Sequence, residues 1–201
     1  MINHIDVSSV LRRTVCDLYS NLVTRSTGEA VRSSIEQQLA EIRERTLTVI
    51  DFSNVGLLDF SCADEIVAKL LLRYCTPAGG VEAVREPMAG AADYSTSPHE
   101  GYFLFRGVSE SHLDAIEAVL DRHGLALVVE GIDGDAHLVG TLDDSERQAW
   151  RAVCELGRTV ASDLARALGI SANDAERLLD ALCRRRLVMR LESHYVAVGA
   201  R

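Results

Sequence analysis

The chain has 201 residues, of which 47% are hydrophobic and 25% charged, and its formal net charge is −9. This composition is typical of a globular protein, and the negative charge argues against a protein that coats nucleic acid. No apolar run approaches the roughly 20 residues that a membrane span needs. Because the charged N-terminal segment also lacks the apolar core of a signal peptide, we expect a cytoplasmic protein without a membrane partner.

The charge is unevenly distributed along the chain. Residues 1–142 carry 21 acidic and 11 basic side chains, whereas residues 143–201 carry 9 acidic and 10 basic ones. This break predicts two units with different partners. The five cysteines are scattered without a C-x-x-C pair, which indicates reduced core thiols and predicts neither a metal site nor a disulfide framework.

The first half of the chain alternates between helical and strand patterns. Apolar side chains recur at helical spacing over residues 8–21 and again after TRSTGEA, where Ser26 or Thr27 is expected to cap the helix. Residues 47–52, LTVIDF, form a β-branched apolar run that is typical of a central strand covered on both faces. Helical spacing returns over residues 62–74.

The stretch 76–100 contains all three prolines and three glycines. A loop of this length is either functional or a mobile insertion, and the composition favours the insertion. A strand is predicted over 101–108, a helix over 109–124, and two strands joined by a glycine-rich hairpin turn over 125–131 and 136–142. The alternation of strands and helices predicts an α/β fold with a largely parallel sheet.

A new pattern begins after Leu142. A first helix is expected to be capped by Asp144 or Ser145, a second to end at Gly169, and a third to be capped by Ser171. Two short strands around a turn follow. Three helices and a hairpin, with a tight turn before the third helix, predict a small winged helix-turn-helix domain over 143–201.

Two stretches, LVTRSTGEAVRSSIEQQL and VIDFSNVGLLDFSCADEI, resemble the STAS-like domain family of unknown function that occurs in bacterial and phage regulators. The matching positions are Leu22, Thr24, Arg25, Ser26, Asp51, Phe52, Val55, Ala63, Asp64 and Glu65. The resemblance covers residues 18–78. It implies a STAS-like sheet with packed helices over 1–142 and a role in signalling.

The second stretch is also similar to the STAS domains of anti-sigma-factor antagonists. Asp59 matches their aspartate, and Ser61 matches the serine that a partner kinase phosphorylates, whereas Phe60 and Cys62 replace the family's serine and glycine. The resemblance implies a kinase or an anti-sigma-like protein as the partner. It also implies a phosphorylation or partner switch at Ser61, with Asp59 and Asp51 beside it.

Other interpretations of these residues remain open. Helix capping alone explains Ser61, because a serine oxygen at a helix start accepts from the backbone N–H two or three residues on, and Asp64 faces the helix dipole favourably. Asp51 and Asp59 are candidates for an acid–base pair or a Mg²⁺ site. No glycine-rich phosphate loop, nucleophile elbow or His/Glu metal motif accompanies them, so no enzyme, metal or cofactor is expected.

The remaining candidates involve arginines. Arg25, with Asp64 and Glu65, is a candidate partner-binding group, although such an arginine more often pairs with a carboxylate of its own chain. The candidates for DNA contact in the C-terminal unit are Arg177, Arg184, Arg185, Arg186 and Arg190. The third helix also carries Asn173, Asp174, Glu176 and Asp180. Because carboxylates repel phosphates, protein docking or dimerisation remains an alternative for this unit.

The leading hypothesis is a non-enzymatic cytoplasmic regulatory protein. Its STAS-like domain over 1–142 binds a protein partner, and its winged helix over 143–201 binds DNA. The alternative is a protein-interaction adaptor of the anti-sigma-antagonist type without DNA contact, and a homodimer is compatible with both. A nucleotide-using enzyme built on Asp51 and Asp59 ranks third.

Overall fold

The computed structural model describes residues 2–15, 20–42, 46–75 and 101–200. Its strands are β1 Ile2–Asp6, β2 Thr46–Asp51, β3 Gly101–Arg106, β4 Ala126–Glu130, β5 Ala136–Gly140, β6 Val188–Leu191 and β7 His194–Ala197. Its helices are α1 Val7–Thr14, α2 Arg25–Ala40, α3 over 60–74, α4 Glu110–His123, α5 Asp144–Leu156, α6 Ala161–Leu168 and α7 Ala172–Arg184. Helix α3 contains the π-helical stretch Asp64–Ala68.

The first five strands form one mixed sheet in the order β1-β2-β3-β4-β5. Strands β1 to β4 are parallel, and β5 pairs antiparallel with β4. Parallel strands that follow one another in the sequence therefore lie side by side in the sheet. Each connection between them moves one strand across the sheet in the same direction. Since such crossovers are right-handed, the helices that connect them are expected on one face.

Alternate residues of the central strands face opposite layers, as the two-residue period of a strand requires. Ile50 and Phe105 pack with helices α1 to α4 in one hydrophobic cluster. Val49, Leu104 and Val128 pack with the C-terminal helices in a second cluster. The sheet is thus apolar on both faces, which confirms the α/β fold and the prediction that β2 is a central strand covered on both sides.

Helices α5 to α7 and the β6–β7 hairpin form the layer on the second face. Trp150 of α5 donates from Nε1 to the carbonyl oxygen of Leu187 at 3.2 Å, which ties α5 to the hairpin. The backbone of Gly199 lies so close to the sheet that a Cβ there would be 3.4 Å from Leu104 and 3.3 Å from Val128. Residues 1–142 and 143–201 therefore share a hydrophobic cluster, and the independent folding of residues 143–201 stays a prediction.

Helix α5 also engages β5, the last strand of the sheet. Arg147 donates from Nη2 to the carbonyl oxygen of Gly140 at 2.6 Å and from Nη1 to that of Leu138 at 3.4 Å. Arg185, which follows α7, donates to the carbonyl oxygen of Thr141 at 3.0 Å. These contacts fasten the C-terminal layer to the end of the sheet.

The N-terminal segment differs from its prediction. The helix expected over 8–21 ends at Thr14, and Leu22 is buried in an extended segment that pairs with Leu58. A buried extended residue is as apolar as a buried helical one, so helical spacing did not distinguish the two. Strand β1 was not predicted, because Ile5 is its only buried side chain and gives no alternating pattern.

Besides the cap of α3, two of the predicted helix caps lie at other residues. Thr24 caps α2, accepting from the N–H of Thr27 at 3.3 Å, and Asp143 caps α5, one residue or more before the predicted positions. In both cases several adjacent polar side chains are able to cap, and the tertiary path of the chain selects one of them. The predicted cap Ser171 and the left-handed Gly169 after α6 are confirmed.

The predicted loop 76–100 lies outside the described residues, as does Cys16. The other four cysteines form no disulfide, and Cys62 and Cys75 are buried. None of the helices in the described part of the chain has the length and apolar character that crossing a bilayer requires.

Candidate functional site

Two extended segments meet where α3 begins. Leu22 donates its N–H to the carbonyl oxygen of Leu57 at 2.7 Å, and Asp59 donates its N–H to that of Leu22 at 2.8 Å. On these adjoining segments Val23, Leu57 and Phe60 expose 42%, 53% and 38% of their surface. We call these three side chains the apolar patch. Large apolar side chains that stay exposed together are candidates for a binding surface.

Asp59, and not Ser61, is the N-cap of α3. The Oδ1 atom of Asp59 accepts from the backbone N–H of Cys62 at 2.9 Å. Ser61 lies half-buried in the first turn and donates from Oγ to both carboxylate oxygens of Asp59, at 2.9 and 3.1 Å. The capping role predicted for Ser61 is therefore wrong, because a charged acceptor two residues earlier occupies the positive end of the helix.

The hydrogen bonds around Asp59 determine its charge state. Burial alone raises the pKa of Asp59, but hydrogen bonds from the backbone of Cys62 and the hydroxyl of Ser61 outweigh burial and hold the pKa below its ordinary value. The Cys62 thiol donates to the carbonyl oxygen of Thr24 at 2.9 Å, and burial raises its pKa to about 12. At neutral pH the carboxyl group is thus ionised, and the thiol is protonated and not nucleophilic.

Asp51 ends β2 and pairs with Arg106, its register partner at the end of β3. Nε of Arg106 donates to Oδ2 of Asp51 at 3.1 Å, and the N–H of Ser53 donates to Oδ1 at 2.9 Å. Burial alone raises the pKa of Asp51. The hydrogen bonds from Ser53 and Arg106 lower it by more than burial raises it, so the pKa lies below its ordinary value. Asp51 and Asp59 therefore have separate partners, and neither has the raised pKa that a general acid needs.

Glu65 is a buried carboxylate in α3, only 2% exposed. It accepts from Lys69 at 2.6 Å, from Arg25 at 2.7 Å and from Arg32 at 3.3 Å. Burial raises the pKa of Glu65, but the hydrogen bonds and charges of these cations lower it below its ordinary value. Arg25 thus pairs with carboxylates of its own chain, as the simpler interpretation held, and its role in partner binding stays a prediction.

Asp64 shares Arg25 with Glu65. It accepts from Arg25 at 3.0 Å and contacts Nε2 of His123 at 2.9 Å. Burial raises the pKa of Asp64, and the hydrogen bonds from His123 and Arg25 lower it below its ordinary value. This arrangement depends on the absence of a side chain at Gly28, because a Cβ there would lie only 3.0 Å from the Cβ of Glu65 and clash with it. Helix α2 therefore packs against α3 without an intervening side chain and places Arg25 over both carboxylates.

Sequence reasoning did not identify four partners of these carboxylates: Arg32, Lys69, Arg106 and His123. Lys69 carried a usable signal, since it follows Glu65 by four residues, the spacing of a favourable helical ion pair. The other three lie on different elements from their carboxylates. Their proximity depends on how the helices and strands pack, which no local pattern contains.

The five arginines predicted to contact DNA have different surroundings. Three of them are exposed: Arg177, Arg184 and Arg190. Nε of Arg185 contacts a carboxylate oxygen of Glu146 at 3.2 Å, and the guanidinium of Arg186 lies 5.7 Å from the ring centre of Tyr102 in β3. The guanidinium of Arg190 lies 5.8 Å from the ring centre of Tyr195 in β7. Arg185, Arg186 and Arg190 therefore have contacts within the molecule.

Among the residues that the structure describes, no three His, Cys, Asp or Glu side chains are grouped so that they would hold a metal ion. Comparison of the chain with family models, with curated proteins and with solved structures gives no match. The STAS-like resemblance accordingly rests on the motif residues within 18–78 and remains a prediction.

Proposed function

We propose that this protein is a non-enzymatic regulatory protein that docks a protein partner at the start of α3. The observation that carries this proposal is the apolar patch beside the hydrogen bonds between Asp59 and Ser61. Apolar side chains at the centre of a docking surface, bordered by polar groups, are the usual anatomy of a protein interface. The resemblance to anti-sigma-factor antagonists supports the same residues as a switch.

Ser61 is suited to control docking through its charge. Its Oγ lies 2.9 and 3.1 Å from the Asp59 carboxylate oxygens, so a phosphate on Ser61 is repelled by that carboxylate. Asp64 adds little to the repulsion, because Arg25 and His123 already contact it. Phosphorylation thus breaks the hydrogen bonds and places two anions beside the apolar patch. A partner that covers the patch would remove water from both anions, which costs free energy and weakens docking.

For the C-terminal unit, the geometry supports the adaptor alternative better than DNA binding. The order of three helices and a hairpin, with Thr159 bridging Tyr195 of the hairpin, supports a winged-helix arrangement. Three of the five candidate arginines, however, already contact other groups of the same chain. Helix α7 also exposes Asp174, Glu176 and Asp180. Phosphates are repelled by such a face. Retention on duplex DNA that falls steeply with salt would instead favour the DNA-binding form of the proposal.

Partner capture tests the switch at Ser61. The immobilised full chain is compared with Ser61→Ala, Ser61→Asp and Leu57→Glu in lysate of the source organism, with Ile132→Glu as the control. Ile132 is a fully exposed residue in the β4–β5 turn, so its replacement adds the same charge away from the patch. We expect wild type, Ser61→Ala and the control to retain one common protein that Ser61→Asp and Leu57→Glu lose.

The two serine variants must be compared at matched thermal stability. Aspartate at position 61 lies beside Asp59 and weakens the start of α3, so a loss of folding would imitate a loss of docking. Equal capture by Ser61→Ala and Ser61→Asp, with both variants folded, would contradict the switch. Retention of the partner by Leu57→Glu would contradict the apolar patch as its docking surface.

A further inference from the structure

A groove of about 650 Å³ lies between the first turn of α5 and the exposed side of α7. Its apolar lining consists of Leu168, Ile170, Leu178 and Ala181, all of them half-buried. These side chains come from the end of α6, the following turn and α7. They form an apolar floor along a helix of 13 residues, which is about 20 Å long at 1.5 Å per residue.

The border of this groove is predominantly acidic. Its exposed charged lining residues are Asp143, Asp174, Asp180, Arg177 and Arg184, whereas Glu146 is buried and paired with Arg185. Three exposed carboxylates thus face two guanidinium groups. Within residues 101–200, Asp180 forms an ion pair with neither arginine, so its charge is available to a ligand that enters the groove.

We propose that this groove binds a short amphipathic helix with basic flanks from a partner protein. The apolar stripe of such a segment covers the leucine and isoleucine floor, and its Lys or Arg side chains reach the carboxylate of Asp180 and its acidic neighbours. An amphipathic helix laid into an apolar groove is a common mode of peptide recognition. Duplex DNA, the other candidate for this face of α7, carries the wrong charge for a border on which carboxylates predominate.

The surface is separate from the switch at Ser61. Helix α3 packs on one face of the sheet, and α5 and α7 pack on the other. The inference therefore goes beyond the proposed function, and its failure leaves that proposal in place. A molecule with both surfaces is able to hold two proteins at once, which is the property that defines an adaptor.

Three fluorescent probes test the groove on the full chain by anisotropy. The first is a synthetic 14-residue helix with a leucine stripe and lysine flanks, the second has glutamate in place of every lysine, and the third is a 20-base-pair DNA duplex. We expect the lysine probe to bind, with an affinity that falls as salt is added, and the glutamate probe and the duplex to bind at least about tenfold more weakly.

Two charge reversals on α7 separate local docking from general attraction. Asp180→Lys changes a residue that lines the groove, whereas Glu176→Lys makes the same change in net charge at an exposed residue of the same helix outside it. We expect Asp180→Lys to raise the dissociation constant of the lysine probe about fivefold, and Glu176→Lys to leave it within about twofold. Ser61→Asp, on the other layer, is expected to bind the probe like the wild type.

Several results overturn the inference. Absence of binding by the lysine probe, or an equal effect of the two reversals in folded variants, would show that the groove has no specific role. Tighter binding of the duplex than of the lysine probe would assign this face of α7 to DNA.

Discussion

Deletion of residues 143–201 is expected to prevent residues 1–142 from folding cooperatively. The deletion removes the layer that covers one face of the five-stranded sheet. Val49, Tyr102, Leu104 and Val128 lie on that face, each of them 8% exposed or less in the full chain. Without the C-terminal layer, these side chains face water.

The size of the effect follows from the side chains that become exposed. Burial of a large apolar side chain contributes about 1.5–3 kcal/mol, so exposure of four of them costs roughly 6–12 kcal/mol. The free energy of unfolding of a whole domain is about 5–15 kcal/mol. The fragment 1–142 is therefore expected to lose most or all of its stability.

Urea titrations followed by circular dichroism test this expectation with three samples: the fragment 1–142, the fragment 143–201, and their equimolar mixture. The C-terminal fragment retains a core of its own, in which Trp150, Leu164 and Leu182 are buried, so it is expected to melt cooperatively. The fragment 1–142 is expected to gain a cooperative transition only in the mixture. A cooperative transition of 1–142 alone, at the urea concentration that unfolds the full chain, would refute the reasoning.

Four point substitutions test contacts described above. Asp59→Ala is expected to lower the free energy of unfolding by about 1 kcal/mol, and Ser61→Ala by about half of that or less, because only Asp59 caps α3; urea titration that gives the reverse order would contradict the assignment. Glu65→Gln is expected to cost about 2 kcal/mol at neutral pH, since charged hydrogen bonds are lost. The folded-state pKa of Glu65 lies below its ordinary 4.5, so this stabilisation is present above pH 4.5 and lost as the pH falls through the folded-state pKa; a difference between wild type and variant that stays constant into acid would argue against it. Gly199→Ala is expected to lower the free energy of unfolding by about 2 kcal/mol. Position 199 has a φ of +82°, and the new Cβ would lie 2.7 Å from that of Ala136. An unchanged melting temperature would contradict this expectation, because it would mean that the C-terminal layer moves to make room without losing stability.

Local patterns in the sequence predicted most of the elements, because each pattern reports a side chain's immediate surroundings. In β3, Tyr102 and Leu104 alternate with Phe103 and Phe105, and an apolar strand of this kind needs a cover on each face. The identity of the second cover was not predicted. Which segment covers the second face follows only from the strand order. That order places the helices that connect the parallel strands on one face of the sheet, so that residues 143–201 cover the other face.

The candidate site was predicted in its location but not in its contacts. The sequence places Asp59 and Ser61 at the start of a helix, and the structure confirms that position. The sequence does not indicate whether the side-chain oxygen of Asp59 or that of Ser61 caps the helix, since both residue types are good caps. The pairing of Asp51 with Arg106 joins residues 55 positions apart, and it depends on the register of two parallel strands that are separated by a helix and the 76–100 stretch.

The contact between Arg147 and strand β5 has a consequence for self-association. An exposed edge strand is a template on which a strand of another chain can pair, and a sheet with two open edges can be extended from both sides. Here the guanidinium already occupies the carbonyl oxygens of Gly140 and Leu138, which obstructs one of the two edges. Strand pairing that extends the five-stranded sheet is then expected to use β1, and two molecules that join through β1 present only the obstructed β5 edges of that sheet. Growth of the five-stranded sheet from one molecule to the next is then expected to end at two copies.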